Sequence, residues 1–74
     1  MDYQTVHNAV NELAQQGMIS VDDDISATYI TDIIVGDITY KESLYSVVSV
    51  LNDNGYLCAD ELTDAVEAFS NLLF

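Results

Sequence analysis

Residues 9–23, Ala9-Val10-Asn11-Glu12-Leu13-Ala14-Gln15-Gln16-Gly17-Met18-Ile19-Ser20-Val21-Asp22-Asp23, return in outline 38 positions later. The second copy is Val47-Val48-Ser49-Val50-Leu51-Asn52-Asp53-Asn54-Gly55-Tyr56-Leu57-Cys58-Ala59-Asp60-Glu61. Each copy reads as a helix end, a glycine, two apolar residues, two small residues and an acidic pair. Glycine suits the left-handed backbone that closes a helix. Acids suit the start of the next one, where the helix dipole favours negative charge. Each half is therefore expected to be a helix-turn-helix hairpin, and the fold all-α with four short helices.

Working outward, Tyr3, Val6, Val10 and Leu13 recur at helical spacing between Asp2 and Gln16. From Asp60 to Phe74, Leu62, Ala65, Val66, Phe69, Leu72 and Leu73 share one face, with Asp60, Asp64 and Glu67 opposite and Glu61 beside them. A third helix fits from Lys41 to Asn52, with Leu44, Val47, Val48 and Leu51 inward. Thr39-Tyr40-Lys41-Glu42 has the spacing of a capping box at its start. Between Asp22 and Val35 two signals compete. Ile25, Tyr29, Ile30, Ile33 and Ile34 fall within half a helical wheel, yet the segment is rich in β-branched and aromatic residues. The repeat favours a helix there. The alternative is an α+β fold with a hairpin near 28–40, turned at Gly36-Asp37.

The 74 residues make one small domain, 1–74, in which 13 Asp and Glu face a single basic residue, Lys41, for a net charge of −12. That balance argues against direct contact with nucleic acid or an anionic membrane, each of which needs a Lys/Arg footprint. A lone cysteine, Cys58, excludes an internal disulfide scaffold. No apolar run approaches a membrane span, and the first residues lack the basic, then apolar, pattern of a secretory signal. A soluble, cytoplasmic protein is expected. Apolar residues make up 50% of the chain, too many for a disordered one. A core this small is thin, and dimerisation would relieve the shortage, so a homodimer is compatible with the sequence.

Residues 52–62 resemble the second half of an EF-hand, the helix-loop-helix calcium motif. With Gly55 at loop position six, Asn52, Asn54, Leu57 and Glu61 take positions three, five, eight and twelve. Position one then falls on Val50, where a carboxylate ligand is required, so no metal site is assigned. His7 and Cys58 are the only residues of their kind, too few for a metal cluster. Nothing places a base beside a nucleophile. The chain is expected to be neither an enzyme nor a cofactor binder.

The acids are unevenly placed. Asp22, Asp23 and Asp24 form a run, and Asp60, Glu61, Asp64 and Glu67 stripe the matching helix, whereas the first helix shows Gln4, Asn8, Asn11 and Gln15 outward. Carboxylates three and four apart on a helix stand roughly 5–6 Å from one another at Cβ, a row comparable to a phosphate backbone. In size, charge and helicity the chain resembles the small acidic DNA-mimic inhibitors of phages and mobile elements, among them anti-restriction and anti-CRISPR proteins. The resemblance lies in whole-chain composition and carries no motif. It implies an inhibitor, in the host cytoplasm if phage-encoded, that blocks a basic nucleic-acid-processing protein or complex through those seven acids. The alternative is a small acidic helical adaptor or regulatory protein that binds through an apolar, tyrosine-bearing patch, its acidity serving solubility.

Overall fold

Four helices form where the apolar spacing places them. The computed structural model describes residues 2–21, 24–37 and 43–74. Its order is α1 (Tyr3–Gln15), β1 (Ile19–Ser20), α2 (Asp24–Asp37), α3 (Ser43–Asp53), β2 (Cys58–Ala59) and α4 (Leu62–Leu73). The two helix-turn-helix hairpins are present, and a short antiparallel ribbon joins their turns. The capping box expected at Thr39–Glu42 lies outside the described residues.

The start of α1 is set by Asp2, whose extended backbone lets its carboxylate accept from the Thr5 N–H and the Thr5 hydroxyl, both at 3.0 Å. Those bonds, the backbone one foremost, hold the Asp2 carboxyl below its ordinary range. The end of α1 and the end of α3 are built alike. Gly17 N–H reaches the Ala14 carbonyl at 3.2 Å and Met18 N–H the Leu13 carbonyl at 3.0 Å. Gly55 and Tyr56 repeat those bonds to Asn52 and Leu51 at the same two lengths. Every partner moves by the 38 residues of the sequence repeat. Only a residue free to adopt positive φ closes a helix this way, and Gly17 and Gly55 stand at +79° and +80°.

Beyond the glycines the two turns pair with each other, Ile19 against Ala59 and Ser20 against Cys58. Ser20 and Cys58 hold the same place in their halves, so the approximate twofold relating the hairpins passes between them. Ile19 and Leu57, also equivalent, are both buried and anchor the ribbon to the core. Cys58 is exposed, because the strand alternates faces and Leu57 takes the inner one.

The segment with competing signals is helical. Residues 28–37 lie in α2, and among the described residues the β structure sits at 19–20 and 58–59; the 38–40 part of the alternative hairpin lies outside the described residues. The reason is the stripe Ala27, Ile30, Thr31 and Ile34, which has helical spacing and is buried along its length. Burial of that stripe outweighs the modest strand preference of β-branched residues. Thr31 is tolerated there because its hydroxyl donates to the Ala27 carbonyl at 2.8 Å.

The helices form a ring in which α1 packs on α2 and α4, and α3 packs on α2 and α4. One apolar cluster fills the centre, with Val6, Val10, Leu13, Ile30, Ile34, Leu44, Val48, Leu51 and Phe69 fully enclosed. Some residues assigned inward from spacing lie elsewhere. Tyr3, Tyr29 and Leu72 are exposed, whereas Val47, Leu62, Val66, Ile33 and Leu73 are half-buried and pack against the edge of the core as expected. Among the described residues, no helix is long and apolar enough to cross a membrane.

Candidate functional site

The approach to α4 and its first turns carry four of the seven acids singled out by the sequence, and the reason is local. Glu61 caps α4 with an extended backbone, φ −122° and ψ 97°, and its side chain makes no capping bond. Asp64 follows in the first turn, where the unpaired N–H groups and the helix dipole favour a carboxylate. Glu67 lies one turn on. At about 100° per residue Asp64 and Glu67 lie roughly 60° apart on α4, and Asp60 and Glu61 immediately precede the helix. The buried Ala65 and Phe69 lie on the other side of the helix. All four carboxylate residues are exposed. Lys41, the one Lys or Arg in the chain, lies outside the described residues, so among those residues no ammonium or guanidinium group faces the α4 acids.

Asp22 and Asp23 lie outside the described residues. Asp24 opens α2. The hairpin symmetry makes the start of α2 equivalent to the start of α4 without placing them together. In the ring, α2 and α4 are diagonal rather than adjacent, and an antiparallel ribbon sends its two outgoing chains off opposite ends.

The neighbour of α4 is electrically quiet. On α1 the Gln4 amide donates to Asn8 Oδ1 at 2.9 Å, and the Gln16 amide donates to Glu12 Oε1 at 3.3 Å. His7 stacks on Tyr3 at 5.9 Å between ring centres, and Asn11 Nδ2 lies 3.2 Å from His7 Nδ1. This surface is a ladder of neutral amides with Glu12 as its one acid, as the sequence pattern indicated.

The EF-hand likeness does not extend to the backbone. The positions matched to loop residues one and three, Val50 and Asn52, are helical in α3. Asn52 Oδ1 accepts the Ala59 N–H at 3.0 Å, fastening the helix end to β2, and Asn54 Nδ2 donates to the Val50 carbonyl at 2.9 Å. Among the described residues no three His, Cys, Asp or Glu side chains are grouped to hold a metal ion.

A second surface is of the apolar, tyrosine-bearing kind that the sequence offered as its alternative without assigning residues to it. Between α2 and α3 runs an open cleft of about 440 Å³, lined by Tyr29, Ile33, Val47, Val50, Leu51 and Tyr56 together with Ser46 and Asn54. Tyr29 and Tyr56 meet at its end, their ring centres 4.7 Å apart and tilted by 39°. The hydrogen bond with Tyr56, and repulsion from its ionised form, raise the Tyr29 phenol above its ordinary value. The signal in the sequence was the surplus of apolar residues on α2, more than one buried stripe uses.

Comparison with protein-family models, with curated proteins and with solved structures finds no match to this chain.

Proposed function

We propose that this protein is an inhibitor that docks an acidic face on a basic nucleic-acid-binding protein or complex and denies that surface to DNA or RNA, in the manner of anti-CRISPR and anti-restriction proteins. The observation carrying this reading is the acidic start of α4. Four exposed carboxylates follow one another here, Asp60 and Glu61 leading into the helix and Asp64 and Glu67 on its face away from Ala65 and Phe69, beside α1, whose outer surface is mostly neutral amide. Soluble domains ordinarily mix both signs over their surface; here a single lysine is spread against 13 acids. Charge of one sign on one face steers encounter with a basic groove and sets orientation. Asp22, Asp23 and Asp24, the matching acidic run in the sequence repeat, extend the same reading.

The test is a pull-down with the tagged protein, washed along a salt ladder with and without competitor DNA. Partners that are nucleic-acid enzymes should leave at moderate salt or when DNA is added. The triple variant Asp60→Lys, Asp64→Lys and Glu67→Lys should lose them while keeping a helical circular dichroism spectrum. A folded triple variant that binds with undiminished affinity would sink the reading.

A further inference from the structure

We infer that the cleft between α2 and α3 is a docking groove for a cationic amphipathic helix of a partner protein, independent of the acidic face of α4. The helices around it show why. On α2 the buried stripe is Ala27, Ile30, Thr31 and Ile34, yet Tyr29 is 46% exposed and Ile33 half-buried on a second side. On α3 the buried residues are Leu44, Val48 and Leu51, while Val50 is 57% exposed and Val47 half-buried. Ile33 and Val47 rest against the edge of the core, so the apolar side chains left to be covered from outside are Tyr29 and Val50. Tyr56, 41% exposed, closes the end of the groove against Tyr29. Exposed aromatic and β-branched side chains converging on one open cleft make an apolar anchor site, where tyrosine is enriched.

Charge decides the occupant. Asp32 follows Tyr29 by three residues and Asp53 follows Val50 by three, so each stands on the outer flank of its wall, roughly 60° further round the helix. Both are exposed. The groove therefore has apolar walls and an acidic rim on each side. A second copy of this chain would bring another charge of −12 to that rim, which like-charge repulsion disfavours. A segment with apolar residues at helical spacing and Lys or Arg along both flanks matches walls and rims together. Laying one apolar helix face into a groove between two helices is a common mode of recognition.

The experiment titrates the ¹⁵N-labelled protein with a leucine–lysine peptide of about 18 residues, long enough to hold a helix. Its leucines lie on one face. A leucine–glutamate peptide of the same pattern and a scrambled leucine–lysine peptide serve as controls. The expected result is saturable shifts at Tyr29, Ile33, Val47, Val50 and Tyr56, with at least about tenfold weaker binding to Tyr29→Ala and to Val50→Lys. Because Tyr29 and Val50 are half exposed, both variants should fold, and their spectra check that directly. Shifts confined to α4, or equal affinity for the scrambled peptide, would reduce the interaction to bulk charge and overturn the inference. Equal affinity for the glutamate peptide would overturn the charge assignment. Sedimentation showing a dimer that Val50→Lys dissociates would make the occupant a second copy and overturn it too. The α4 triple-lysine variant should keep the groove shifts, which separates this site from the acidic face.

Discussion

Gly17, Gly55 and Gly36 show how much one backbone angle decides. A Cβ built on any of them meets nothing within 4 Å, so space does not distinguish them. Gly17 and Gly55 have φ near +80° and close helices, whereas Gly36 lies within α2. Alanine at Gly55 must take a left-handed conformation, which costs roughly 1–2 kcal/mol. Alanine at Gly36 removes unfolded-state freedom from a helical position and should stabilise by about 0.4–1 kcal/mol. Urea denaturation of Gly55→Ala and Gly36→Ala should therefore move the midpoint in opposite directions. A shift of the same sign for both would mean that one of the two backbones is misassigned. The helix-closing glycines were legible because each follows an apolar helical run and precedes a matching tail. The exposure of Cys58 was not, since nothing in its neighbours reveals which face of a two-residue strand is covered.

At the scale of the element, the two hairpins share a design but differ in one fastening. Asn52 ties the end of α3 to β2 through the Ala59 N–H. Its counterpart in the first hairpin is Ala14, which has no side-chain acceptor. Removing the Asn52 oxygen leaves a partly buried N–H without that partner, a loss of about 1–3 kcal/mol. Asn52→Ala should lower stability by that amount, and amide exchange at Ala59 should accelerate more than at Ile19 on the opposite strand. Unchanged exchange at Ala59 would show that the bond does not hold the turn. The elements themselves were largely legible: α1, α3 and α4 carry stripes whose spacing has only one regular solution. α2 was ambiguous because it is apolar on two sides, which blurs the helical period that would have identified it. The ribbon was invisible, because two residues are too few to show an alternating pattern.

Charge acts at the scale of the whole molecule, whose largest dimension is 26 Å. At about 0.01 M salt the screening length is roughly 30 Å, so every carboxylate feels every other. At about 1 M it is roughly 3 Å, shorter than the spacing of neighbouring acids on a helix. With a net charge of −12 and a small core, mutual repulsion is a sizeable drain on stability. The melting temperature should therefore climb by several degrees as NaCl rises from about 0.01 to 0.5 M, then level off as screening saturates. A flat profile by circular dichroism would mean that the carboxylates do not destabilise the fold. Salt should then act in opposite directions on the fold and on the proposed docking of the acidic face. A wash that releases a partner from the acidic face should leave the protein more firmly folded, so release cannot be confused with unfolding.

Periodicity and glycine placement determined α1, α3 and α4 and the glycine-closed ends of α1 and α3, because each follows from neighbours within a few residues along the chain, and the 38-residue repeat supplied the hairpin plan. Net charge likewise needed no coordinates. Tertiary structure alone decided which of the apolar residues of α2 went inward. It also decided that the two turns pair across the twofold, and that Tyr29, Val50 and Tyr56 meet in one cleft. Those outcomes depend on contacts between residues distant in sequence, and a side chain's burial is set by what packs against it rather than by its own polarity.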